Sequence, residues 1–262
     1  MRPELVPAGA RQKRGDIAAG LAEADVLVEG RYSMPGAHQG FIEPHVTIAA
    51  PEPGGVIAIW SPTQGHRFVR DEVAKVLKVP TAKVRVVSMP VGGGFGGKVV
   101  LLEPLAALLA QRLRRPIQLA LTRSEEFQVG RPAPASYHDI KIGAKRDGTL
   151  TAMEIGTVYD NGAASGWHGN LTGMLFGSAY LVPNFAFRAY EVSTNKTPTD
   201  AYRAPGGTQA FFTLEAALDE LAAKLDMDPL ELRLKNAKRQ GDKQPDGEFA
   251  KIGLVEVIAA AQ

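Results

Sequence analysis

Val84-Arg85-Val86-Val87-Ser88-Met89-Pro90-Val91-Gly92-Gly93-Gly94-Phe95-Gly96-Gly97-Lys98 runs from a β-branched segment into a glycine-dense loop. Its β-branched start reads as a strand, and the run from Leu101 to Leu113 reads as a helix. A loop with five glycines around one phenylalanine joins them. Glycine tolerates positive φ and lets backbone come close to a ligand. Exposed amides near a helix start suit an anionic or oxo-bearing ligand. A tight turn with a packed Phe is the plainer alternative, but five glycines are more than a turn needs.

Outward from this loop, strands and helices mix along the chain. Val26–Tyr32 reads as a strand after a short helix at Asp16–Ala24, and residues 1–15 read as an extended arm. Val46–Ala50 and Val56–Trp60 form a hairpin around a Pro/Gly turn. Ser61-Pro62-Thr63-Gln64 opens a helix whose apolar face is Val69, Val73, Val76 and Leu77. In the helix after the glycine loop, Leu101, Leu105, Leu108 and Leu109 make the apolar stripe, and Ile117–Leu121 is the next strand. Ser136–Lys145 and Leu150–Tyr159 pair across Asp147-Gly148. Asn161–Gly173 reads as a loop, Met174–Ala179 as a short helix and Phe185–Val192 as a strand. A second unusual loop, Asp200–Gln209, leads into a helix burying Leu214, Ala217, Leu218, Leu221, Ala222 and Leu225. Asp228-Pro229-Leu230-Glu231 caps another short helix, 238–251 reads as polar linker, and Leu254–Ala261 as a last helix. The expected fold is α+β, a mixed β-sheet with packed helices.

Composition narrows the chemistry. The chain has 262 residues, 45% of them hydrophobic, and a net charge of +2. That balance makes no electrostatic case for nucleic acid or a membrane surface, and no apolar run is long enough to span a bilayer. The chain has no cysteine, which excludes disulfides, thiolate metal sites and iron–sulfur clusters held by this chain. A cytoplasmic location is the expectation.

Two nucleotide patterns fit the glycine loop incompletely. Gly92–Lys98 matches G-x-x-x-x-G-K, but Val99 stands where a P-loop places Ser or Thr. Gly92, Gly94 and Gly97 match G-x-G-x-x-G without a clearly placed acidic residue after the next strand. No two of the histidines (38, 45, 66, 138, 168) sit at i, i+4 as a helical metal pair would. Glu43 and Glu103 read as structural carboxylates that accept hydrogen bonds. Gln64, between a strand end and a helix start, and Arg203, in Tyr202-Arg203-Ala204-Pro205-Gly206, are the better candidates for ligand contact. A salt-bridged loop arginine is the alternative for Arg203.

Five segments together resemble the molybdenum-binding subunit of the xanthine dehydrogenase/aldehyde oxidase family. They are His38–His45, Ser61–Gln64, Gly92–Lys98, Ala201–Gln209, and Leu214–Asn236 with its Asp228-Pro229. They come in the family's order and span nearly the whole chain. The resemblance implies a molybdenum–molybdopterin cofactor, the cytosine dinucleotide form among the candidates. It implies that Gln64 hydrogen-bonds an oxygen ligand of the metal. Gly93, Gly94, Phe95 and Gly96, with Arg203 and Ala204, would lie against the cofactor. Gln64, Phe95 and Arg203 would touch the ligands of molybdenum without bonding the metal. The implied reaction is hydroxylation of an aldehyde or heterocycle with oxygen from water. Electrons would leave through partner chains carrying iron–sulfur clusters and FAD.

Departures from the family pattern bear on the substrate. Xanthine-oxidising members place Glu after the glycine-loop lysine, where this chain has Val99, and an aromatic where it has Pro205. Their substrate-binding Arg is missing from Leu171–Phe176, before the Tyr180–Asn184 match. Val99 and Pro205 are therefore expected to line an apolar substrate pocket, with purines disfavoured. Ala204 stands where carbon monoxide dehydrogenases have Cys. The family's base glutamate lies in a Gly-x-Gly-Glu motif of a second cofactor-binding domain, and no such motif occurs here. The expectation is a first cofactor-binding domain at 16–262, with the N-terminal small domain and the second cofactor domain absent, and no catalytic base in this chain. The rival expectations are a non-catalytic assembly domain and a nucleotide-binding protein. If the cofactor reading holds, Gln64, Phe95 and Arg203 must be neighbours on an open surface.

Overall fold

The computed structural model describes residues 8–244 and 247–261. In chain order the elements are β1 (Ala8–Arg14), α1 (Ile17–Ala22), β2 (Val26–Met34), β3 (Val46–Glu52), β4 (Val56–Ser61) and α2 (His66–Leu77). Then come β5 (Val84–Ser88), α3 (Glu103–Leu113), β6 (Ile117–Ala120), α4 (Arg123–Val129), β7 (Ala135–Ala144) and β8 (Leu150–Asp160). The rest are α5 (His168–Phe176), β9 (Asn184–Val192), α6 (Gly207–Leu225), α7 (Pro229–Asn236), β10 (Lys243–Gln244), β11 (Gly247–Glu248) and α8 (Leu254–Ala261). They fall into two compact units. The first comprises residues up to 35, 134–195 and 204 onward, and the second comprises 36–133 and 196–203.

The first unit is built on a five-stranded sheet of order β1-β9-β8-β7-β2. β8 and β9 run parallel and the other neighbours antiparallel, so the sheet is mixed. Alternation explains the strands: Ile140, Ile142, Met153, Ile155, Phe185 and Phe187 point into one core. α6 covers it with Leu214, Leu218 and Leu221, residues that recur at helical spacing. The β7–β8 turn is fixed locally, since Asp147 accepts bonds from the Thr149 amide (2.9 Å) and hydroxyl (3.0 Å), and Gly148 sits at φ +84. Of the expected N-terminal arm, residues 1–7 lie outside the described residues. Residues 8–14 are extended, as edge strand β1 paired with β9.

The second unit is a four-stranded sheet of order β5-β4-β3-β6, with β4 and β5 parallel and the remaining pairs antiparallel. α2 makes the crossover between the parallel strands. Val69, Val73 and Leu77 from α2 meet Ala49, Ile57 and Ile59 from the sheet.

Four expectations need correction. The leucines of α3 are not its buried face. Ala106, Ala107, Ala110 and Glu103 are buried, whereas Leu105 is 50% exposed. The helix lies against both α2 and the sheet, and that close approach needs small side chains. Val76 of α2 is also exposed. The loop expected at 161–173 ends early, because α5 begins at His168. The linker at 238–251 contains the small β10–β11 pair. A helix not anticipated, α4, is held by a capping box in which Thr122 and Glu125 bond each other's backbone.

Candidate functional site

The parallel pair β4 and β5 sends two loops from neighbouring strand ends, because Ser61 pairs with Ser88 at the last rung. One loop carries Gln64 and the other is the glycine loop. Ligand-binding loops sit at the carboxyl ends of parallel strands in this way. The glycine loop is not itself a helix start, as the sequence suggested. Residues 99–102 intervene before α3, so any anion contact here would use loop amides rather than a helix N-terminus.

Gln64 is tied down at both levels. Its backbone N–H donates to the Lys98 carbonyl at 2.7 Å. Its side-chain Oε1 accepts from the amides of Gly96 (2.9 Å) and Lys98 (3.3 Å). With the carbonyl end fixed, the exposed Nε2 end is left with no acceptor among the described residues. Gly94 must be glycine for this to form, since a Cβ there would overlap Gln64 Oε1. Gly96 sits at φ +101, and a Cβ on it would come 2.7 Å from the Ala201 carbonyl.

Phe95 also adopts a left-handed conformation, φ 50, and is 42% exposed. Bulky residues rarely hold that backbone without surrounding constraint. The constraint is visible: the Phe95 carbonyl accepts from the Arg203 amide at 2.8 Å, and the Gly97 amide bonds Gly94. Gln64, Phe95 and Arg203 are therefore neighbours within the second unit, as the sequence required. The Arg203 side chain is exposed and has no carboxylate partner among the described residues, so the salt-bridge alternative is not realised. The next residue, Ala204, is exposed and holds φ 61, and its carbonyl accepts from Gly207 at 2.8 Å. Pro205 is half-buried. Val99 is half-buried too. Its carbonyl accepts from Thr63 Oγ1 at 2.7 Å, and its side chain lies against Gly65.

A third piece, which sequence reasoning used only as a motif, is the segment from His38 to His45. Gln39 Nε2 donates to the carbonyls of Arg131 (2.7 Å) and Ala201 (2.8 Å) and packs on Gly97. Phe41 packs on Gly93. Glu43 accepts from the Gly92 amide (2.9 Å) and from Lys98 Nζ (2.6 Å). Burial alone would raise the Glu43 carboxyl, but Lys98 and the Gly92 amide outweigh it and hold it below the usual range. Lys98 is fully buried, and its ammonium also lies 4.7 Å from the Phe41 ring centroid. The lysine that a P-loop would offer to a phosphate is thus engaged internally, which counts against the P-loop reading. Glu43 and Glu103 are structural carboxylates, the latter accepting from Ser61 Oγ at 2.6 Å and the Leu101 amide at 2.8 Å.

Among the described residues the side-chain groups left over at this surface are donors, the Gln64 amide N–H and the Arg203 guanidinium, with the Phe95 backbone N–H beside them. The Gly96 amide, expected to face a ligand, is instead engaged by Gln64. These donors suit the oxygen atoms of an anionic or oxo-bearing group, and neither left-over side chain offers a ligand atom to a metal ion. Among the described residues no cluster of His, Asp or Glu has metal-binding geometry.

The molybdopterin cofactor-binding domain family matches residues 2–237. A xanthine dehydrogenase molybdenum-binding subunit of Escherichia coli is 36% identical over 237 residues, 88% of this chain and 31% of that protein. The nicotinate dehydrogenase large molybdopterin subunit of Eubacterium barkeri is 32% identical over 95% of this chain and 60% of its own length. The solved aldehyde oxidoreductase of Desulfovibrio gigas superposes with a TM-score of 0.89 at 33% identity, over 95% of this chain and 28% of that one. This chain therefore spans between about a quarter and three fifths of the proteins it resembles. The chain belongs to the molybdopterin cofactor-binding domain family, in the form found in the molybdenum-binding subunits of xanthine dehydrogenases and aldehyde oxidoreductases.

Proposed function

We propose that this chain supplies one half of the molybdopterin site of a molybdenum hydroxylase that oxidises an aldehyde or a heterocycle with oxygen from water. The observation that carries the reading is the Gln64 amide, whose carbonyl is fixed by the Gly96 and Lys98 amides so that its N–H group is left to donate outward. The Gln64 and Arg203 donors fit a group whose exposed atoms are oxygen and sulfur. Gln64, Phe95 and Arg203 would hold its ligand atoms, with Gly93, Gly94, Gly96 and Ala204 shaping the surface around them. When bound, the group supplies two-electron oxidation of the substrate carbon. Gln64 would donate a hydrogen bond to an oxygen of that group, and Arg203 would offset its negative charge. Val99 would contribute an apolar side chain toward the substrate, which favours aldehydes over purines.

The general base, a second cofactor-binding domain, and the iron–sulfur and FAD partners come from other chains or segments in this reading. The cytosine dinucleotide form is among the candidates for the cofactor in this reading, which also sets the protein in the cytoplasm. No helix among the described residues is long and apolar enough to cross a membrane. Metal and pterin analysis of the purified protein with its partners tests the proposal. Molybdenum and pterin in equal amounts, lowered by Gln64→Ala, support it. A protein that carries neither is an assembly domain, and the reading then fails.

A further inference from the structure

The segment that cradles the glycine loop is itself held by one buried carboxylate. Glu126, on α4, has a side chain that is 0% exposed. Its Oε2 accepts from the backbone N–H of His45 at 2.7 Å. The same carboxylate meets His45 Nδ1 at 2.8 Å, and His38 Nε2 stands 3.4 Å from Oε1. One turn earlier on the same helix face, Arg123 donates to the Ile42 carbonyl at 2.6 Å. The His45 end and the middle of 38–45 are therefore hydrogen-bonded to α4, and the His38 ring stands beside the same carboxylate. Burial pushes the Glu126 carboxyl up, but the His45 backbone N–H and the two imidazoles outweigh it and keep it ionised. An ionised carboxylate accepts several hydrogen bonds and donates none, so it can gather several groups of a loop.

What the segment carries is the underside of the candidate site. The His38 and His45 rings flank Phe41 at 5.0 and 5.6 Å, and Phe41 in turn supports Gly93 and the Lys98 ammonium. Lys98 and Gly96 provide the two amides that fix the Gln64 carbonyl. We propose that Glu126 is a positioning residue for the cofactor loop, acting through His38, His45 and Phe41 to set the loop amides that aim Gln64. The consequence for the site rests on the reading of Gln64 as a ligand donor. The coupling from Glu126 to the loop does not.

Glu126→Gln tests the coupling in the protein without cofactor, because an amide has one acceptor oxygen where the carboxylate offers two, both of them engaged by the His45 backbone and ring. Amide hydrogen exchange and ¹⁵N resonances are read together. The Gly96 and Lys98 amides should exchange about tenfold faster and shift their resonances, while β3 and β4 exchange as in the wild type. Val73→Ala, which loosens the α2 core and touches none of these groups, should leave the loop resonances in place. If Glu126→Gln does not fold, His38→Phe removes one leg and keeps the ring packing, and the same local pattern is expected at smaller amplitude. Unchanged loop amides, or faster exchange spread evenly over the second unit, would overturn the proposal. Loop coupling in a protein that never takes up molybdenum or pterin would instead count against the functional reading alone.

Discussion

Gln64 holds Gly96: its side-chain Oε1 accepts the Gly96 N–H at 2.9 Å, and this bond fixes which end of the amide faces outward. Gln64→Glu separates the two roles of the side chain. Glutamate still accepts from the Gly96 and Lys98 amides, but it cannot donate. In the assembled enzyme kcat/KM should fall about 10²-fold, the scale for losing one donor at developing charge. The thermal melt should stay close to wild type. A variant with wild-type kcat/KM would show that the amide donor has no part in the reaction.

Gly94 leaves no room for a methyl group, because a Cβ would overlap Gln64 Oε1. Gly94→Ala should cost about 1–3 kcal/mol in chemical denaturation, the usual scale for forced overpacking. Gly156→Ala is the matched comparison. Nothing lies within 4 Å of a Cβ there and its φ is ordinary, so the change should be neutral or slightly stabilising. Equal effects at the two positions would contradict the packed loop.

His138 makes the fold acid-sensitive. It is fully buried between Thr157 Oγ1 and Ser136 Oγ, both at 2.9 Å, and burial pulls its pKa from 6.5 to about 4. A depressed pKa means the folded state favours the neutral ring. Its contribution is complete above 6.5 and is lost as pH falls toward about 4, amounting to roughly 3 kcal/mol. Urea midpoints at pH 7, 5.5 and 4.5 should track this loss, and His138→Gln should flatten it. Glu43 and Glu126, held below their ordinary 4.5, weaken the fold only at lower pH. A wild-type midpoint that is flat from pH 7 to 4.5 would refute the assignment.

Val99 is half-buried against Gly65. If it walls the substrate pocket, Val99→Glu should lower kcat/KM for apolar aldehydes about tenfold or more, because an unpaired carboxylate is costly to desolvate. The same change should spare polar heterocycles relative to aldehydes. Identical kinetics for both substrate types would place Val99 away from the pocket.

Elements with local signals are legible in the residues alone. The repeat of Leu214, Leu218 and Leu221 makes α6, alternation makes β7 and β8, and Asp147-Gly148 turns the chain between them. The capping box at Thr122 and Glu125 was also legible in the residues, although α4 was not read from it. Motif order placed Gln64, Phe95 and Arg203 in one family pattern and required them to meet. Tertiary structure alone decided which face of α3 is buried. Leucines and alanines both recur at helical spacing, and only the closeness of α2 and the sheet selects the alanines. It alone showed why the glycines cluster, since Gly94, Gly96 and Gly97 are crowded by Gln64, Ala201 and Gln39, residues distant in sequence. Glu126 carries no sequence signal of its own. Its importance comes from burial opposite two histidines some eighty residues away, and hydrogen-bond partners at that separation are set by the packing of elements, not by any local period.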